Sequence, residues 1–281
     1  MEYVELGDTG ETVSRLGFGG APAGLPNYLG EYDPSESSAR ARVIEAIEQA
    51  LDCGVTYFDT APGYGEGISE EIFGEALAGE DVFVATKVEL GDRTHVRNRV
   101  TGSLERLRRE SIELLQIHGE SYTDEDVKLI QTEMLPEMEA LREEGKVRYL
   151  GFTTEDNNPA TYELVSSGEF DTMQINYNVL FQHPYNPISD SGSLLEAADA
   201  GMGTITMRTL TSGIFQSWIE TVHPDVSFEY APALLQFVLS NESVDVALVG
   251  MRNPRIVEEN AALVDDIEGR IDIEELFNRY V

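Results

Sequence analysis

Short apolar runs rich in β-branched and aromatic residues recur along the chain, each followed by a longer segment whose apolar positions return every three or four residues. The short runs are SRLGFGG (14–20), VTYFDT (55–60), VFVATKV (82–88), IELLQIH (112–118), VRYLGFT (147–153), FDTMQINYN (170–178), GTITMRT (203–209) and VALVGM (246–251). The spacing predicts helices over 39–53, 69–78, 95–109, 136–144, 158–167, 194–200, 231–240 and 254–265. Ser69 before Glu70 and Glu71, and Asn253 before Pro254, read as helix starts; Gly54, Gly79, Gly145 and Gly201 read as stops.

Eight strands that each lead into a helix are the arithmetic of an α/β (β/α)8 TIM barrel. A doubly wound sheet needs a glycine fingerprint after its first strand, and the nearest stretch, GFGGAP, has Pro22 where the third glycine belongs. The opening YVELGDTGETVSRL reads as an N-terminal β-hairpin that caps the barrel bottom. IDIEELFNRYV reads as an extra C-terminal helix packed by Leu276, Phe277 and Tyr280. No linker composition interrupts the pattern, so residues 1–281 are expected to form a single domain.

Charge changes the picture of the surface. The 281 residues carry a net charge of −33, yet 41% are hydrophobic, so the excess is expected on the outside of a folded protein. The acids are spread over nearly every helix, and lysine stands only at Lys87, Lys128 and Lys146. Such a surface repels itself in dilute buffer and is screened in strong salt, which predicts a halophilic protein. No basic stripe exists to meet nucleic acid, and no long apolar stretch to enter a membrane. The N-terminus lacks the pattern of an export signal, and the one cysteine, Cys53, is expected to be a buried thiol; both fit the cytoplasm. Oligomeric state is not legible.

In a barrel, chemistry sits at the C-terminal ends of strands. The second run ends in Asp59, the third in Lys87 and the fourth in His118, with Tyr64 on the loop after Asp59. Singly these are a turn former, a snorkelling cation, a core histidine and a loop aromatic. Together they make a proton donor: an ammonium lowers the pKa of a neighbouring phenol, a carboxylate holds the ammonium, and an imidazole orients a carbonyl oxygen. Hydride then has to come from a cofactor, because no side chain supplies it. Two readings from other classes stay open, a nucleotide-binding regulatory or sensor barrel and a metal-dependent lyase or isomerase using Asp59 and His118.

LGFGG, FDTAPGYGEGISEEIFGEAL, VFVATKV, SLERLRRESIELLQIH, EEGKVRYLGFT, MQINYN and GMRNPRIVEEN together resemble the aldo-keto reductases, and a haloarchaeal-type member of them. The resemblance covers essentially the whole chain. It implies reduction of an aldehyde or ketone, or the reverse oxidation of an alcohol, with NADPH favoured as cofactor and NAD possible. Tyr64 is then the general acid, Lys87 and Asp59 tune it, and His118 places a small-molecule carbonyl or alcohol substrate. The resemblance also implies Thr153 and Gln174 at the nicotinamide carboxamide, and Leu210 and Ser212 at the pyrophosphate. Arg252 and Asn253 fall to the 2′-phosphate, with Glu259 and Asn260 near the adenine. Asn253 is equally readable as a helix cap and Gln174 as a core amide. Thr154, Met207 and Ile256 depart from the family pattern, where asparagine, an aromatic and a more polar residue are common. Tyr28, Tyr122 and Trp218 are the candidate walls of the substrate pocket.

Overall fold

The structure is a computed structural model and describes residues 1–28, 30–225 and 227–279. β1 (Tyr3–Glu5) and β2 (Thr12–Ser14) pair as an antiparallel hairpin. β3 (Leu16–Gly19), β4 (Tyr57–Asp59), β5 (Phe83–Glu89), β6 (Ile112–His118), β7 (Val147–Thr154), β8 (Thr172–Asn176), β9 (Gly203–Met207) and β10 (Val246–Gly250) are parallel neighbours in that order. β10 pairs with both β9 and β3 and closes the barrel. This is the eight-stranded barrel that the alternating runs predict.

Side chains alternate across each strand, and the alternation sorts the core into two bodies. Tyr57, Phe83, Ala85, Leu114, Ile205 and Val246 point into the barrel. Phe58, Val84, Val88, Leu115, Ile117 and Phe152 point out, against the helices. Counting in twos from the inward apolar residues, Asp59 follows Tyr57, Lys87 follows Ala85, and Gln116 and His118 follow Leu114. These polar side chains therefore enter the barrel toward its C-terminal end.

The other end is closed by the hairpin. Leu6 and Val13 are buried with the inward residues, the Asp8 amide donates to the Gly201 carbonyl at 2.8 Å, and the Tyr149 hydroxyl donates to Thr9 at 2.9 Å.

Seven of the eight predicted helices appear within a residue or two, as Ser37–Asp52, Ile68–Ala76, Arg93–Leu107, Pro159–Ser166, Ser193–Asp199, Ala231–Leu239 and Pro254–Asp265. The helix expected over 136–144 starts earlier, at Asp124, because Thr123 and Asp126 form a reciprocal capping box. Its middle, Ile130–Met134, is π-helical just before Pro136, and the Thr132 carbonyl that Pro136 cannot serve accepts instead from Arg93 at 3.1 Å. A helix at Ile214–Val222 was not expected.

The expected start at Ser69 is corrected: the helix is Ile68–Ala76, and the buried Ser69 hydroxyl donates to the Gly20 carbonyl at 2.9 Å. Asn253 does cap, accepting from the Arg255 amide at 2.9 Å. Cys53 is half-buried at a helix end, not fully buried. The last helix, Ile273–Asn278, packs through Ile273 and Leu276; Tyr280 lies outside the described residues. No helix among the described residues is long and apolar enough to cross a membrane.

Candidate active site

Asp59 and Lys87 are each 1% exposed and form an ion pair inside the barrel mouth. The second carboxylate oxygen of Asp59 accepts from the Gln116 amide at 2.9 Å, and Lys87 also donates to the Thr60 carbonyl at 3.0 Å. Burial pushes Asp59 above the ordinary carboxylate range, against the pull of Lys87 and Gln116. Burial works against the charge of Lys87, but Asp59 and Tyr64 outweigh it and hold the ammonium above its usual value. With both oxygens of Asp59 engaged, a metal-dependent reading loses its carboxylate.

Tyr64 leans over this pair. The Lys87 nitrogen is 5.1 Å from the centre of its ring, and the His118 ring meets it edge to face with centroids 5.7 Å apart. Desolvation raises the Tyr64 pKa, the neighbouring Lys87 ammonium lowers it, and desolvation prevails. The expected net lowering is therefore absent: Lys87 acts in the expected direction, but within a site dry enough to keep the phenol protonated. Burial, with Lys87 nearby, depresses His118 to about 4. At neutral pH it is an uncharged imidazole, able to donate one hydrogen bond.

The loop carrying Tyr64 is pinned from two sides. A Cβ on Gly24 would overlap the Tyr64 carbonyl, and one on Gly65, whose φ is 70°, would overlap Gly24, so two glycines let the chains cross in contact. Below the loop, the fully buried Glu70 accepts from Thr86 at 2.6 Å and from Arg106 at 2.7 Å.

Tyr64, His118 and Asp59 line a cavity of about 370 Å³ together with Thr153, Gln174, Met207, Leu210 and Ser212. Gln174 is 1% exposed and its Oε1 has no partner among the described residues, which suits an amide donor entering the cavity. The Thr153 hydroxyl is already engaged, donating to the Gly119 carbonyl at 2.8 Å and accepting from the Gly119 amide at 3.0 Å. Thr154 faces outward and bonds Asp156 and Thr161. Ser212 shares a 3.1 Å hydrogen bond with Tyr28, which also lines the cavity.

A second cavity of about 1020 Å³ adjoins the first at Pro22 and Gly250 and contains Arg252, Asn253 and Ile256. The Arg252 guanidinium lies 4.3 Å from the centre of the Tyr32 ring. Asn260 is buried, and Glu259 is exposed and ion-paired to Arg255; neither lines either cavity. Tyr122 is 2% exposed and donates to the Thr153 carbonyl at 2.8 Å, supporting the site from behind. Trp218 is 58% exposed and off the cavity wall. Of the three candidate walls only Tyr28 serves.

Gln116, Tyr32, Glu155 and Arg208 are not among the residues singled out by sequence, though all touch the site or its cavities. Gln116 is legible in the sequence, since it stands two residues before His118 and so on the same inward face. The other three depend on how loops cross.

The closed parallel barrel gathers Asp59, Lys87, Tyr64 and His118 at its mouth, beside a trough formed by the two adjoining cavities, and the comparisons give the family. The sequence profile described as the Aldo/keto reductase family matches residues 15–229. The chain is 30% identical to an L-galactose dehydrogenase of Arabidopsis thaliana, over 95% of this chain and 89% of that one. It is 32% identical to an NADH-specific methylglyoxal reductase of Escherichia coli, over 76% of this chain and 73% of that one. In fold it matches an aldo-keto reductase of Bacillus halodurans in its holo form, with a TM-score of 0.77 at 20% identity, covering 98% of this chain and 94% of that one. The chain belongs to the aldo/keto reductase family and is an oxidoreductase of that kind.

Proposed function

We propose that the protein reduces an aldehyde or ketone, or oxidises the corresponding alcohol, with a nicotinamide cofactor in the trough and Tyr64 as the proton carrier, and that it works in the cytoplasm, where a chain with one cysteine needs no disulfide. The observation that carries this is the buried Asp59–Lys87 pair beneath the Tyr64 ring, with neutral His118 against its edge.

When bound, the nicotinamide supplies or accepts hydride at the substrate carbon. The chain's part is protonic. Tyr64 donates to the carbonyl oxygen as negative charge develops there, and the Lys87 ammonium stabilises the phenolate left behind. Asp59 and Gln116 fix the ammonium in place, so no reorganisation is needed as charge moves. The His118 imidazole orients the carbonyl through its N–H.

For the cofactor, Gln174 and Thr153 are assigned to the carboxamide and Leu210 and Ser212 to the pyrophosphate. Arg252 and Asn253 take the adenosine end, with Glu259 and Asn260 behind it. NADPH is favoured through Arg252, a charge suited to a phosphate. NADH is the second reading, because Glu31, Asp33 and Glu36 line the same cavity as Arg252. Titration with each dinucleotide separates them.

Tyr64→Phe tests the central assignment. The variant is expected to bind cofactor as the parent does and to lose about 10²–10⁴-fold in kcat, the usual contribution of a positioned general acid. Unchanged turnover would remove Tyr64 from the mechanism.

A further inference from the structure

The helix Ile214–Val222 carries apolar side chains on two faces. Phe215 and Ile219 are half-buried, and the Phe215 ring meets Tyr230 edge to face with centroids 5.3 Å apart. On the other side Ile214, Trp218 and Val222, each one helical turn from the next, form an exposed stripe. A surface helix ordinarily turns a polar face outward. None of the nine residues here is buried, and a helix that short gains little stability in water without packing.

Beside the stripe lies an apolar hollow. A cavity of about 540 Å³, sharing no lining residue with the two at the barrel mouth, is walled by Val179, Phe215, Phe228, Tyr230, Phe237 and Leu276. Phe228 is itself exposed and meets Tyr230 edge to face with centroids 4.8 Å apart. The charged lining residues are Glu229 and Asp266, and Asp266 is engaged in accepting from the Gly269 amide at 3.1 Å.

Charge, area and shape name the occupant. Residues 200–219 contain no aspartate or glutamate, in a chain with 52 acids among 281 residues. Two copies that each carry −33 repel over most of their surface, and the stretch leading into the stripe is where they can approach. Ile214, Trp218, Val222 and Phe228 are 37, 58, 67 and 62% exposed. At roughly 150–200 Å² for each large side chain, they leave about 400 Å² of apolar surface in the open. A standard interface takes ~800 Å² from each partner, about 65% of it apolar in homodimers, and the walls of the hollow supply the remainder. A ridge and a hollow on one chain are also self-complementary about a two-fold axis.

We infer that this face is a homodimer interface, with Trp218 of one protomer seated against the apolar hollow of its partner, and that the pairing requires salt. Glu220, Asp225 and Glu229 are exposed around the stripe, so pairing brings like charges together and screening decides whether it holds.

The test is sedimentation velocity over a concentration series, in dilute buffer and in molar KCl, read beside the emission of Trp218, the chain's one tryptophan. In molar KCl the parent is expected to become dimeric as concentration rises. Its emission then moves to the blue and acrylamide quenching falls, because the indole leaves water. In dilute buffer it is expected to stay monomeric. Trp218→Ser and Val222→Ser change no charge and are expected to keep the parental thermal midpoint in dilute buffer. Trp218→Ser should weaken the dimer by about 30-fold or more, the loss that follows truncation of an aromatic anchor. A parent that is monomeric throughout, a dimer that leaves the Trp218 emission unchanged, or one that both variants leave intact would overturn the interface. A dimer equally strong in dilute buffer would overturn the salt requirement.

Discussion

The ammonium of Lys87 and the carboxylate of Asp59 neutralise each other in a part of the barrel that neither shares with water, and the Tyr64 ring lies 5.1 Å from that ammonium. On the proposed mechanism the pair joins folding to catalysis, because the charge that is to steady a phenolate is also one the fold has to keep balanced.

Lys87→Met would leave Asp59 buried with Gln116 alone. Removing one partner of a buried pair costs about 3–5 kcal/mol, readable in urea unfolding, and turnover should fall as well. Adding Asp59→Asn should restore most of the stability and none of the turnover. A double variant with parental turnover would show that the ammonium has no part in proton transfer.

His118 sets a stability window. Its folded pKa is about 4 against an ordinary value of 6.5, so the unfolded chain binds a proton that the folded chain refuses. Stability from this residue is therefore fully present above pH ~6.5 and is lost as pH falls toward about 4. Thermal midpoints of parent and His118→Asn between pH 4 and 7 should converge on the acid side. Parallel curves would mean that His118 titrates normally.

Gly24→Ala tests how finely the Tyr64 loop is placed. The added methyl overlaps the Tyr64 carbonyl, so the loop has to move. A displacement near 1 Å at a reacting group reduces turnover by about 10²-fold, and the drop should appear in kcat while cofactor affinity is largely kept. Unaltered kcat would show that the crossing has slack.

Salt should stabilise the fold. With 52 acids against 19 lysines and arginines, surface repulsion is strong in dilute buffer, and 1 M salt shrinks the Debye length to about 3 Å. The thermal midpoint is expected to climb steadily from dilute buffer to molar KCl. A flat profile would leave the acidity without a halophilic explanation.

The barrel was legible because strand alternation and helix periodicity repeat often enough to correct one another, and the inward set Asp59, Lys87 and His118 follows from counting in twos. The capping box is also written in the sequence, in Thr123 and the Asp126 three residues on. What could not be read depends on chain crossings. Trp218 was expected at the pocket and lies on an exposed helix face, whereas Arg208 reaches the cavity from a left-handed backbone that no local pattern announces. The sign of the Tyr64 shift was missed for a related reason: a charge partner shows in sequence order, but the dryness of a site shows only once its walls are assembled.

The hairpin formed by residues 3–14 stoppers the barrel, so the cavity at its mouth has no passage through the barrel floor. A molecule seated against the buried Gln174 is expected to load before one nearer the rim and to leave after it. Traffic through the site is thus queued by architecture, and product inhibition patterns should reveal a compulsory order.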